Sequence, residues 1–93
     1  MTWRVRVRPS AELSLLAAAR WYEAQRQGLG AAFSEELAQV LAWLADNALI
    51  YPELFRGVRR VFAHRFPYIV YYRIAGDDVM VLAILHMRRR RSF

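Results

Sequence analysis

The chain contains no cysteine and no lysine, and only two histidines, among its 93 residues. Without cysteine there is no disulfide framework and no thiolate metal site. His64 and His86 have no partner histidine at helical spacing, and Asp77-Asp78 sit in a turn sequence, so a metal centre is not expected. No cofactor-binding motif occurs either: GLG at 28–30 is two glycines in a turn, not a phosphate loop. The four serines lie outside any nucleophile-elbow context. No stretch approaches the roughly 18 uncharged apolar residues of a membrane span. MTWRVRVRPS offers no apolar core of a signal peptide, so the expected location is the cytoplasm, without membrane association.

All 14 basic residues are arginine, against eight acidic ones, for a net charge of +6. Any basic site therefore works through planar, permanently charged forks, and a lysine acid or base is excluded. An excess of positive charge favours an anionic partner, whether nucleic acid or an acidic protein segment. The 57% hydrophobic content supports one folded domain over residues 1–93.

Hydrophobic periodicity divides the chain cleanly. Residues 3–8, WRVRVR, alternate as a strand with one wet face, and Pro9 ends it. Ser10 is placed to cap a helix over about 11–27, whose apolar stripe combines Leu15, Ala19 and Tyr22 with Leu13, Leu16, Ala17 and Ala24. Gly28 reads as its C-terminal stop. A second helix over about 31–47 places Phe33, Leu37, Val40, Leu41 and Leu44 on one face. So short a connection makes the pair an antiparallel hairpin.

The remainder reads as strands at 58–65, 68–74 and 79–86, with Pro67 and the AGDD turn between them. The fold class is α+β, with order β-α-α-β-β-β: a helical hairpin packed on an antiparallel sheet of about four strands.

The segment VRRVFAHRFPYIVYYRI (58–74) interleaves arginines with aromatics. Single-stranded nucleic acid is bound by exposed aromatics between cations. However, tyrosines and β-branched residues are also what a central strand packs with. Alternation sets Tyr68, Val70, Tyr72 and Ile74 against Ile69, Tyr71 and Arg73, which favours packing. Arg59 and Arg65 share one face of the preceding strand, beside Val61 and Ala63. His86 ends an apolar strand next to Arg88, an arrangement open to acid–base work or to a plain strand-end role. Arg88, Arg89, Arg90 and Arg91 form a basic run suited to phosphates or an acidic segment.

Three strings carry a resemblance: AELSLLAAARWYEAQRQGLGAAF (11–33), YPELFRGVRRVFAHRFPYIVYYRI (51–74) and DDVMVLAILHMRR (77–89). In this order they resemble the RelE/ParE superfamily of toxins from type II toxin–antitoxin (plasmid stabilisation) modules, and the ParE branch more than the RelE branch. The resemblance implies the same β-α-α-β-β-β fold. It also implies a toxin that inhibits DNA gyrase without catalysis of its own and causes growth arrest. A cognate antitoxin would wrap it with a C-terminal segment, and operator DNA would be met only through that antitoxin. The RelE-like alternative is a ribosome-dependent endoribonuclease using His86 with Arg65 or Arg73. That branch often relies on lysines, absent here; Tyr68 stands where an arginine is frequent, and Met87 where a tyrosine is usual. A plain nucleic-acid-binding domain remains a third possibility. On charge and strand-edge placement, Arg59, Arg65, Arg88, Arg89, Arg90 and Arg91 are the candidates for target contact. Trp21 and Trp43 mark the expected antitoxin site on the helical hairpin, where an amphipathic helix would dock.

Overall fold

The computed structural model describes residues 2–88. Strand β1 (Arg4–Val7) leads into helix α1 (Pro9–Gln25) and helix α2 (Leu29–Asn47), followed by a 3₁₀ turn at Ala48–Ile50. Strands β2 (Glu53–Phe55), β3 (Val58–Phe62), β4 (Tyr68–Ala75) and β5 (Asp78–His86) complete the fold. The sheet order is β1-β5-β4-β3-β2. The expected α+β architecture is present, with two corrections. The sheet has five strands, not four, and it is mixed, because β1 runs parallel to β5. The fifth strand, β2, is three residues long, too short to show an alternation. It is held against β3 by the turn at Arg56-Gly57, where both residues have positive φ (46° and 77°), as a two-residue hairpin turn requires.

Helix α1 starts at Pro9 instead of behind Ser10, because proline's fixed φ suits the first helical position. Its core-facing side is Ala11, Leu15, Ala18, Ala19 and Tyr22; Leu13 and Leu16 point to solvent. Gly28 does not stop α1, which ends at the extended Arg26. With φ 87° it instead turns the chain into α2. The Glu23 carboxylate secures that turn by accepting the Gly28 and Gly30 N–H groups, at 2.9 and 3.0 Å. On α2, Phe33, Leu37, Val40 and Leu44 are buried as the periodicity requires.

The hairpin covers one face of the sheet, enclosing Trp3, Val61, Val70, Tyr72, Val79, Val81 and Ile84. The opposite face has its own apolar cluster around Val58, Ile69, Tyr71 and Leu82. The alternation of β4 is as the sequence implies: Tyr68, Val70, Tyr72 and Ile74 meet the helices, and Ile69 and Tyr71 face away. Tyr71 and Tyr72 are buried, so this aromatic strand is core. Each large side chain fully buried in this way contributes about 1.5–3 kcal/mol. The Tyr72 hydroxyl donates to the Ala48 carbonyl at 2.6 Å, tying the sheet to the end of α2.

Strand β3 ends at Phe62, short of Arg65. The chain from Ala63 to Pro67 bends so that Phe66 enters the core and stacks edge-on against Tyr22 and Phe33. Glu36 of α2 fixes the bend by accepting the His64 N–H at 2.7 Å and the Arg65 N–H at 2.9 Å.

Candidate functional site

Among the described residues, clefts on either side of the helical hairpin each hold an exposed tryptophan, Trp21 or Trp43. The first, of about 600 Å³, lies between α1 and the ends of β4 and β5. Ser14, Ala17, Ala18 and Trp21 form its helical wall, facing Tyr22, Tyr68, Ile84 and His86. Trp21 is 61% exposed.

A β-bulge builds this site. Tyr71 pairs with Ala83 and Tyr72 with Val81, leaving Leu82 as the extra residue of β5. The insertion exchanges the faces of the strand. Val79 and Val81 meet the helices before it, and Ile84 meets them after it. Had the alternation run on unbroken, Ile84 and His86 would face away from the helices. Instead the His86 ring lies edge-on to Tyr68, with centroids 5.3 Å apart. Its Nδ1 accepts the Arg88 N–H at 3.1 Å, which leaves Nε2 as the proton-bearing nitrogen of the neutral ring. Desolvation, and secondarily the neighbouring Tyr68, raises the pKa of Tyr22 above the ordinary tyrosine value. The cleft is thus an aromatic-walled slot tipped with hydroxyl and imidazole groups.

The second cleft, of about 410 Å³, lies between α2 and β3. Val40, Trp43, Tyr51, Val61 and Phe62 line it, with Glu36, Gln39 and His64 at its rim. The Trp43 indole N–H donates to the Tyr51 hydroxyl at 3.0 Å, so this tryptophan is held in place although 49% exposed.

The arginines proposed for target contact occupy different situations. Arg59 turns inward: its side chain is 16% exposed, donates to the Tyr51 carbonyl and lies 3.8 Å from the Glu53 carboxylate. Arg65 sits on the bend after β3 with its guanidinium over the Phe66 ring. Arg88 follows β5 and makes no ion pair among the described residues. Arg89, Arg90 and Arg91 lie outside the described residues. Arg4 and Arg6 converge on Asp78, at 2.9 and 3.0 Å.

Of the nuclease alternative's two pairings, His86 with Arg65 or with Arg73, the second is not brought together. Tyr68 pairs with His86, whereas Arg73 pairs with Met80, five residues further along β4 and so roughly 17 Å away. Arg73 also belongs to the opposite face and donates to the Arg56 carbonyl. Among the described residues, no three His, Asp or Glu side chains gather as a metal site would require, and no helix is long and apolar enough to cross a membrane. The participation of Ile84 and His86 together in the first cleft was not legible in the sequence, because it depends on the bulge at Leu82.

Residues 5–91 match the family model described as ParE toxin of type II toxin–antitoxin system, parDE. A solved structure of the chromosomal ParDE toxin–antitoxin system from P. aeruginosa contains a chain of similar fold, with TM-score 0.84. The likeness covers 94% of this chain and 98% of that one at 18% sequence identity. No curated protein is significantly similar in sequence.

Proposed function

The chain belongs to the ParE toxin family of type II toxin–antitoxin systems, and from that premise we propose that it is a binding toxin: it inhibits DNA gyrase and is neutralised by a cognate antitoxin. The observation that most supports binding over catalysis is the placement of Arg73 five residues along β4 from the partner of His86, on the opposite face of the sheet. General acid–base cleavage needs its groups within hydrogen-bond reach of one reacting centre. A +6 charge carried by non-titrating guanidinium groups suits docking onto an anionic protein or protein–DNA surface. Arg65 and Arg88, together with Arg89 to Arg91, are the proposed contacts. The tryptophan-bearing clefts are the proposed seat of the antitoxin, through which alone the toxin would meet operator DNA.

Supercoiling by purified gyrase tests the proposal. Stoichiometric toxin is expected to abolish it, and added antitoxin to restore it. His86→Ala is expected to change inhibition by no more than about twofold, the scale of a surface substitution. Unchanged supercoiling at excess toxin would overturn the reading, and loss of toxicity in a folded, antitoxin-binding His86→Ala protein would return the nuclease to first place.

A further inference from the structure

The pairing of β1 with β5 stops halfway along β5. Its register runs from Arg4–Asp78 to Val7–Val81, and the last bond is the Arg8 N–H to the Val81 carbonyl. Beyond it, Leu82–His86 forms an outer edge against which, among the described residues, no strand is laid. In an antiparallel ladder the N–H and C=O of one residue point to the same side, and the side alternates. Met87 donates to the Pro67 carbonyl on the β4 side. By alternation, Leu85 and Ala83 also face β4, whereas Ile84 and His86 direct their backbone groups outward. These same two residues present their side chains to the 600 Å³ cleft. The bulge at Leu82 thus sets both the open hydrogen-bonding edge and the slot beside it.

We propose that the Leu82–His86 edge of β5 is a strand-addition site for an extended, acidic segment of the antitoxin, with one apolar side chain of that segment filling the cleft against Trp21 and Ile84. The inference rests on the antitoxin-neutralised toxin reading and deepens it. An edge of outward N–H and C=O groups is matched by an extended chain, and pockets at alternate side-chain positions supply selectivity. Charge decides the kind of segment. Arg8 at the start of the edge, Arg88 just past its end and Arg20 on the outer side of α1 make no ion pair among the described residues. An acidic segment complements these cations, whereas a second copy of a +6 chain would bring like charges together.

Amide exchange and binding, measured on the whole chain with the full-length antitoxin encoded beside it, test the site. In the free chain the Ile84 and His86 amides are expected to exchange fast. In the complex they should slow by at least about tenfold, as newly bonded edge amides do. Ala17→Asp, which puts a carboxylate on the helical wall, is expected to weaken the complex by about 30-fold or more. Phe62→Asp, in the other cleft, serves as a control for fold and for general wrapping. Slow Ile84 and His86 exchange in the free chain would overturn the proposal, since the edge would already be occupied. So would tight antitoxin binding with those amides unprotected, or with Ala17→Asp without effect, though the toxin–antitoxin reading would survive. An Ala17-dependent dimer of the toxin alone would reassign the edge to self-association. Failure of the antitoxin to bind at all would remove the proposal and the underlying reading together.

Discussion

Gly30 lies where α1 and α2 meet most closely. A Cβ there would stand 2.5 Å from the Ala19 carbonyl oxygen and 2.9 Å from the Glu23 Cβ. Both neighbours are held, one by the helix backbone and the other by the carboxylate clamp on Gly28 and Gly30. Gly30→Ala is therefore expected to cost about 1–3 kcal/mol through overpacking, read as a lowered denaturation midpoint with unchanged slope. Gly28 offers the complementary case: a Cβ would meet nothing within 4 Å, but the φ of 87° is left-handed, so Gly28→Ala measures backbone strain alone, about 1 kcal/mol. Tyr72 gives a pH prediction. Burial raises its pKa from 10.0 to about 12, a push that Arg59 partly opposes and Tyr51 reinforces. Between those values the unfolded tyrosine has lost its proton while the folded one keeps it. Stability is therefore fully present below pH 10 and falls as pH rises towards 12. Tyr72→Phe should flatten that alkaline loss in thermal melts across pH 9–12, and an unchanged profile would contradict the assignment.

Elements differ in how they are fixed. The bend between β3 and β4 has no regular structure of its own and depends on Glu36 of α2. Glu36→Ala is expected to speed His64 and Arg65 amide exchange and to cost about 1 kcal/mol, while the interior of β4 keeps its protection. If those two amides are unaffected, the clamp does not hold the bend in solution. The same contact explains why β3 is shorter than its sequence suggests. Nothing in VRRVFAHRF says that an acid from another element will capture two consecutive N–H groups and turn Phe66 inward. β4 is the opposite case: its alternation is unbroken, so its two faces could be read directly from Tyr68 to Ile74. For β5 the sequence is uninformative about side, because VMVLAIL is apolar throughout. A bulge in such a run leaves no mark in the residue pattern.

At the scale of the molecule, exposed apolar side chains collect at the flanks of the hairpin. Leu13, Leu16 and Trp21 belong to α1, and Trp43, Ile50, Leu54 and Phe62 lie around the far end of α2 and the β2–β3 hairpin. Several large exposed apolar side chains on a small basic chain are in keeping with membership of a family defined by its toxin–antitoxin pairing. Composition determined the arginine-only chemistry and the lack of thiol ligands, because those follow from which side chains exist. Periodicity determined the two helices and the faces of β1 and β4, because burial imposes 3.6- and 2-residue repeats on local sequence. Trp21 and Trp43 could be picked out as surface residues of the hairpin, but not that they serve two separate clefts. Tertiary structure alone decided the parallel placement of β1, the fifth strand, the inward turn of Arg59 and the aim of His86. Each of these depends on pairing or contact between residues distant along the chain, and no local repeat encodes which partner is met.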